Sequence, residues 1–374
     1  MTQLVIDRIE IRVVEPPTLR LAWAEGMHDQ FMSNTVVRVF TKDGVVGVSG
    51  GSSCTSFGFD RAVAESARLV APAYLGASAH DRVGLWHGTR NLNVPFSPIA
   101  TAVLDVALWD AVAKAAGLPL HVLLGSTREA IDAYASTPLY DSAEAYVDEV
   151  AAMAEQGFRA FKFHCWCNPA RDLPMCERVA AAFEGKGLTF MLDVEQRYDR
   201  VQAERAAALL SELGFLWFEA PLLDYDLDGY AALRARHSVD IIPAGNWLGD
   251  RYQVAQGIAA GAWDRVRIDT LTCGGVTPAR DIAALATSHG MPIELQCWGY
   301  TLSQAANLHM MLASPTATYF EQPVPYQPFE HGSASVIRTR PDGKVAPPDG
   351  PGLGVELDWP AIEAATTVMF DIRP

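Results

Sequence analysis

The chain has 374 residues, with 29 Lys and Arg against 44 Asp and Glu, and a formal net charge of −15 at pH 7. With 49% hydrophobic and 20% charged residues it can bury a core, which excludes a disordered chain; its length predicts two domains, or one barrel with an attachment. The acidic balance excludes a phosphate-neutralising nucleic-acid binder, no apolar run reaches the ~20 residues of a membrane helix, and six cysteines are too few for a disulfide framework.

The first residues alternate like a strand and lack the basic and apolar regions of a secretory signal, so a cytoplasmic location is expected, with Cys165 and Cys167 as reduced, small hydrophobes. Leu4–Val14 and Thr35–Phe40 read as strands, and Asp43-Gly44 as the turn into Val45–Val48. The long loop between the first two strands carries Trp23, Glu25 and His28, and a second loop, Gly50–Gly58, is rich in Gly, Ser and Thr. Loops of such length inside a compact domain point to function. Pro98–Ala116 has helical periodicity and closes at Gly117-Leu118-Pro119.

From Ile131 the rhythm changes. Short apolar runs (Ala160–Phe163, Thr189–Leu192, Leu216–Phe218, Asp240–Pro243, Arg265–Ile268, Pro292–Leu295, Thr318–Phe320) alternate with amphipathic helical stretches. The residues at the ends of these runs are Lys162, Asp193, Glu219, Gly245, Asp269, Gln296 and Glu321, one every ~25 residues, the pitch of a parallel βα barrel of seven or eight strands. An open doubly wound sheet shares the rhythm, but no G-x-G-x-x-G opens any of the helices. A Pro- and Gly-rich tail from about residue 327 to 374 is expected to return to the N-terminal part.

A barrel collects its chemistry at the C-terminal strand ends. Period-two alternation puts Lys162 and His164 on one side of the second strand, and Asp193 and Glu195 on one side of the third. Asp193 and Glu219, on neighbouring strands, supply hard oxygen donors that suit Mg²⁺.

Gly157-Phe158-Arg159-Ala160-Phe161-Lys162-Phe163-His164, Leu192-Asp193, Trp217-Phe218-Glu219-Ala220-Pro221, Gly245-Asn246-Trp247-Leu248-Gly249 and Asp269-Thr270-Leu271-Thr272-Cys273-Gly274-Gly275-Val276-Thr277 follow one another as in the enolase superfamily. Across nearly its whole length the chain resembles the mandelate racemase/muconate lactonizing enzyme family, and within it the acid-sugar dehydratases. The resemblance implies an α/β fold: a TIM-like (β/α)7β barrel over residues 126–326, and an α+β N-terminal capping domain over 1–125 that the tail completes. It also implies abstraction of the proton α to a carboxylate, with the enediolate held on a divalent metal. Such a proton is too weakly acidic for any side chain unless the developing charge is neutralised.

Three departures qualify this. The third metal carboxylate is replaced by Gly245 followed by Asn246, so the implied Mg²⁺ ligands are Asp193, Glu219 and Asn246, with Glu195 as an alternative recruit. The second strand reads Lys-x-His rather than Lys-x-Lys: Lys162 is implied to face the substrate carboxylate and His164 to be the base, an imidazole titrating near ~6.5 in model peptides. Asp269 matches the sixth-strand Asp, but Gln296 stands where relatives place a His, which breaks a two-base racemase constellation.

The expected function is a Mg-dependent lyase that eliminates the β-hydroxyl of a sugar acid to a 2-keto-3-deoxy acid. The alternatives are a cycloisomerase or epimerase using the same enediolate, and a non-catalytic sugar-acid binder. Trp23, His28, Tyr140, Trp166, Glu195 and Trp298 are expected substrate contacts. The expected partners are a small-molecule carboxylate and a second copy of the chain in a homo-oligomer, with neither nucleic acid nor membrane.

Overall fold

A computed structural model describes residues 3–17, 20–27, 31–51, 54–55, 59–93, 97–246 and 248–374. Ile6–Val14, Asn34–Thr41 and Val46–Gly50 form an antiparallel sheet. The turn anticipated at Asp43-Gly44 is present, Gly44 taking the positive φ of +82°. A fourth strand comes from the far end of the chain: Thr366–Ile372 pairs antiparallel with Ile6–Val14, in register from Ile9 opposite Ile372 to Val13 opposite Val368. Inward-facing Ile9, Ile11, Val13, Val37 and Val39 bury this sheet.

The helix Ile99–Ala116 is apolar on nearly every face and buried from Ile99 to Ala113, so it packs on both sides, against the Val46–Gly50 strand and the barrel. Its two buried acids are tied across elements. Asp105 accepts from Thr277 N and Oγ1 (2.9 and 2.6 Å), and Asp110 accepts from Val48 N and Leu353 N (2.7 and 2.8 Å). Gly117 ends the helix at φ +67°.

Eight parallel strands form the barrel: Ile131–Thr137, Ala160–His164, Thr189–Asp193, Trp217–Glu219, Asp240–Ile242, Val266–Ile268, Ile293–Leu295 and Ala317–Pro323. Among the described residues a helix follows each of the first seven and only a 3₁₀ turn, Gln327–Phe329, follows the eighth, which gives a (β/α)7β barrel. Ladders run unbroken from the fifth strand back through the first to the eighth and on to the sixth. Asp264 bridges the remaining seam: its N–H donates to the Ile241 carbonyl (2.9 Å) and its carboxylate accepts from the Ile241 N–H (2.8 Å).

The seven expected runs each start within a residue of a barrel strand, the last strand running three residues further to Pro323, because the strands are buried runs punctuated by caps. Asp199 and Asp250 close capping boxes at the third and fifth helices, and Ser142 and Asn168 cap the first two. Among the described residues no helix is long and apolar enough to cross a membrane.

Candidate active site

Register decides which strand-end residues meet. His164 sits opposite Asp193, and Asp193 opposite Glu219, so three functional side chains form one row along the barrel rim. They line a cavity of about 600 Å³ together with Lys162, Glu195, Asn246, Arg267, Asp269, Gln296, Trp23 and Trp298. Strain collects at the same rim: the non-glycine residues Glu195, Gln196 and Ala220 all hold positive φ, between +49° and +60°. Such residues cost about 1–3 kcal/mol each and persist where surroundings over-determine them, which is common at functional sites.

His164 is buried, and its Nδ1 lies 2.6 Å from the Thr137 carbonyl. A carbonyl only accepts, so Nδ1 carries a proton and Nε2 is the nitrogen turned toward the cavity. Nε2 faces Asp193 Oδ2 at 3.3 Å and Glu195 Oε1 at 3.5 Å. Behind the histidine, Tyr146 donates its hydroxyl to the His164 carbonyl (2.6 Å), and Trp166 packs on Tyr146 with ring centroids 5.6 Å apart. Trp298 crosses the imidazole edge-on at 5.3 Å and donates Nε1–H to Ser136 Oγ (2.7 Å).

Lys162, 1% exposed, meets three carboxylates: Glu321 at 2.7 Å, Glu219 at 3.0 Å and Asp193 at 3.3 Å. A second buried cation stands beside it. Arg267 Nε lies 2.8 Å from Glu219 Oε1, Nη2 lies 2.9 Å from Glu321 Oε2, and Nη1 donates to the Tyr134 hydroxyl at 3.3 Å. Burial alone would raise Asp193 and Glu321, but Lys162 holds the first, and Arg267 with Lys162 the second, below the usual carboxylate range. Two cations are shared among three carboxylates, and the excess falls on Glu219, which burial pushes up to about 8. Burial and the nearby Asp193 also push Glu195 up to about 8.

The capping loop reaches this mouth. Ala24 forms a parallel bridge with Cys165, the Leu139 N–H donates to the Ala22 carbonyl (2.8 Å), and Arg197 donates to the Glu25 carbonyl (2.7 Å). Glu25 is therefore a latch, ion-paired with Arg171 at 2.7 Å, and the latch sets Trp23 against Trp298 with centroids 4.8 Å apart.

Two expected contacts are corrected. Tyr140 packs edge-on against Tyr146 at 5.0 Å and bonds to Glu149, and Trp166 lies under the Arg171 guanidinium at 4.1 Å; neither lines the cavity. Both follow their strands by residues enough to turn back onto the helix Ala143–Glu155, Trp166 becoming core and Tyr140 lying half-buried against it. His28 lies outside the described residues. Asp269 bonds to Leu271 N and Asn307 Nδ2 (both 2.9 Å), and Asn307 also donates to the Gln296 carbonyl (2.7 Å), so Asn307 links the sixth and seventh strand ends.

Arg267 and Glu321 received no role from the sequence, although Arg267 sits two residues before Asp269 and the alternation that joined Lys162 to His164 joins these as well.

The expected Mg²⁺ donors fit only in part. Asp193, Glu219 and Asn246 all line the cavity, with Asn246 at its exposed rim. Glu219, however, has Oε1 against Arg267 and Lys162, and Oε2 accepts from Trp217 Nε1 (3.1 Å). Gly245 has φ +80°, and a Cβ there would stand 2.5 Å from the Arg267 carbonyl oxygen, so the backbone leaves no room for a third carboxylate. An ion ~2.1 Å from Glu219 would stand beside two cations; at about 4 Å, each pair of unit charges repels by about 4 kcal/mol at an effective dielectric of ~20. His164, Asp193 and Glu195 do offer ligand atoms within 4.8 Å of one another, but a cation there would take the Nε2 lone pair.

A capped barrel with a Lys-x-His strand beside an Asp–Glu row is the setting in which comparison with other proteins becomes decisive. Residues 8–125 match the mandelate racemase / muconate lactonizing enzyme N-terminal domain, and residues 145–361 match the enolase C-terminal domain-like family. The chain belongs to the mandelate racemase/muconate lactonizing enzyme family of the enolase superfamily.

Within this family it is 32% identical over 288 residues to D-galactarolactone cycloisomerase of Agrobacterium fabrum, covering 74% of this chain and 75% of that protein. A crystal structure assigned to the family from Pseudovibrio sp. superimposes with a TM-score of 0.95 at 36% identity, over 99% of both chains. L-Talarate/galactarate dehydratase from Salmonella typhimurium, liganded with Mg and L-lyxarohydroxamate, gives 0.87 at 23% identity, over 99% of this chain and 94% of that one, a likeness of fold. Relatives in the family are enzymes named as cycloisomerases, dehydratases and epimerases.

Proposed function

We propose that this chain abstracts the α-proton of a small hydroxy-carboxylate and eliminates its β-hydroxyl, giving a 2-keto-3-deoxy acid and water. The observation that carries the reading is the orientation of His164: with Nδ1–H held by Thr137, Nε2 turns to the cavity edge beside two buried cations, and in the neutral imidazole it carries a basic lone pair. The C–H bonding pair moves into the enediolate double bond as His164 Nε2 takes the proton. Lys162 and Arg267 supply positive potential for the charge that builds on the substrate oxygens. The β C–O bond then breaks, the hydroxyl leaving as water with a proton from His164 or from Glu195, whose carboxyl lies 3.5 Å from Nε2. The enol so formed becomes the ketone.

Gln296 cannot accept a proton at neutral pH, so the seventh strand end supplies no base, and in this reading His164 and the adjacent Glu195 serve both steps from the same face. Trp23 and Trp298 wall the cavity on the cap side. No step of this reading runs through Mg²⁺, because Glu219 is engaged by chain cations.

A second reading, ring opening by a cycloisomerase, is favoured by the 32% identity to D-galactarolactone cycloisomerase; the same enediolate expels a ring oxygen instead of a hydroxyl. A library of acid sugars and their lactones, incubated in D₂O with and without Mg²⁺, tests both. A 2-keto-3-deoxy acid from open-chain acids supports the lyase, and product from lactones alone supports the cycloisomerase. Deuterium at Cα without either product supports an epimerase, and no change in any compound leaves a binding protein.

A further inference from the structure

The following rests on reading the barrel mouth as a proton-abstraction site. The geometry points to Arg267 as a built-in substitute for the divalent ion: its guanidinium neutralises the enediolate at the fourth-strand carboxylate, and enolisation by this chain is independent of Mg²⁺.

Three observations converge. The first is charge: Gly245 removes one negative charge from the expected ligand set, and Arg267 adds one positive charge beside Glu219, a swing of two units that equals the charge of Mg²⁺. The second is that the two changes touch. The Cβ missing at Gly245 would collide with the Arg267 carbonyl oxygen at 2.5 Å, while the buried Asp224 pins the same turn through Ala244 N and Gly245 N (2.8 and 3.0 Å). The backbone has closed over the lost ligand position around Arg267 itself. The third is fixation. Arg267 is 1% exposed, held by Glu219, Glu321 and Tyr134 from the fourth, eighth and first strands, and it lines the cavity. A guanidinium stays charged at every working pH and offers a planar donor fork to paired oxygens. When His164 takes the α-proton, the C–H electron pair enters the enediolate, and Arg267 with Lys162 faces the resulting dianion.

The test begins with chelator-treated, full-length protein titrated with MgCl₂ by calorimetry. Wild type is expected to show no saturable binding into the millimolar range, whereas Arg267→Gln, which frees Glu219, gains a site binding at least about tenfold more tightly. In parallel, α-proton exchange in D₂O is followed by NMR on the acid sugar that wild type turns over. EDTA is expected to leave the wild-type rate within about twofold. Arg267→Gln is expected to lose about 100-fold, in the range for removal of one preorganised donor, and to recover in part with Mg²⁺. Arg267→Lys, which keeps the charge, serves if the glutamine variant does not fold, and is expected to fall between the two.

Saturable Mg²⁺ binding by wild type that Glu219→Gln abolishes overturns the inference, as does exchange lost in EDTA and restored by Mg²⁺. If no acid sugar exchanges under any condition, the proton-abstraction reading fails by itself, and the titration still decides whether Arg267 has displaced the ion.

Discussion

His164 and Lys162 lie two residues apart on one strand, yet their surroundings give them opposite chemistry. The lysine is locked among three carboxylates, while the imidazole is held by a carbonyl at Nδ1 and faces the cavity and the carboxylates of Asp193 and Glu195 with Nε2. His164→Gln keeps a donor for the Thr137 carbonyl but removes the lone pair. It is expected to lower α-proton exchange by about 10²–10⁴-fold, the usual worth of a positioned base, with the melting temperature nearly unchanged. Exchange measured by NMR beside a thermal melt checks this, and a rate near wild type would remove His164 from the mechanism. At this scale the sequence named the strand-end residues but not their partners. Glu195 emerges next to Nε2 only because Glu195 and Gln196 adopt positive φ, a backbone choice invisible in the residue types.

The helices carry a pair of imidazoles that the chemistry does not use. His121, on Leu120–Leu123, and His309, on Thr301–Ala313, stack with centroids 5.1 Å apart and approach Nδ1 to Nδ1 at 3.0 Å. His309 Nε2 faces the Leu353 carbonyl at 3.3 Å, so the tail is joined to the barrel through it. Burial pushes His309 down to about 3, against ~6.5 for an unfolded histidine. Between those values the unfolded chain binds the proton and the folded chain does not, so the stability from this group is complete above pH ~6.5 and is lost as the pH falls toward 3. Between pH 6.5 and 5 the loss is about 2 kcal/mol, and His309→Gln is expected to abolish that share of it. Urea unfolding of both proteins at the two pH values checks this; equal losses would contradict it. The helices themselves were legible because each buries one stripe and is capped. Ile99–Ala116 gave the weakest periodic signal, since it is covered on nearly every side.

For the molecule as a whole, the two ends of the chain close one sheet. Removing residues 366–374 would unpair Ile6–Val14 along one edge, while its inner residues Ile9, Ile11 and Val13 still need cover. An open apolar edge invites intermolecular pairing. The truncated chain is expected to melt at least about 5 °C lower, a few kcal/mol for a domain of this size, and to elute in part as aggregate. Unchanged melting and elution would show that the capping sheet is complete without its last strand.

The alternation of buried runs with capped helices, the spacing of the strand ends, and the side on which each strand-end residue points all followed from the sequence. These are local consequences of period-two strands and helix signals, which neighbouring residues fix. Which of those residues meet was decided by tertiary structure. Register set His164, Asp193 and Glu219 in a row, the close passage of Gly245 by the Arg267 backbone shut the third ligand position, and the turn after the second strand sent Trp166 into the core. Partners on different strands lie ~25 to more than ~100 residues apart along the chain, and only closure of the barrel brings their charges within the few ångströms where Coulomb forces choose between a metal ion and an arginine.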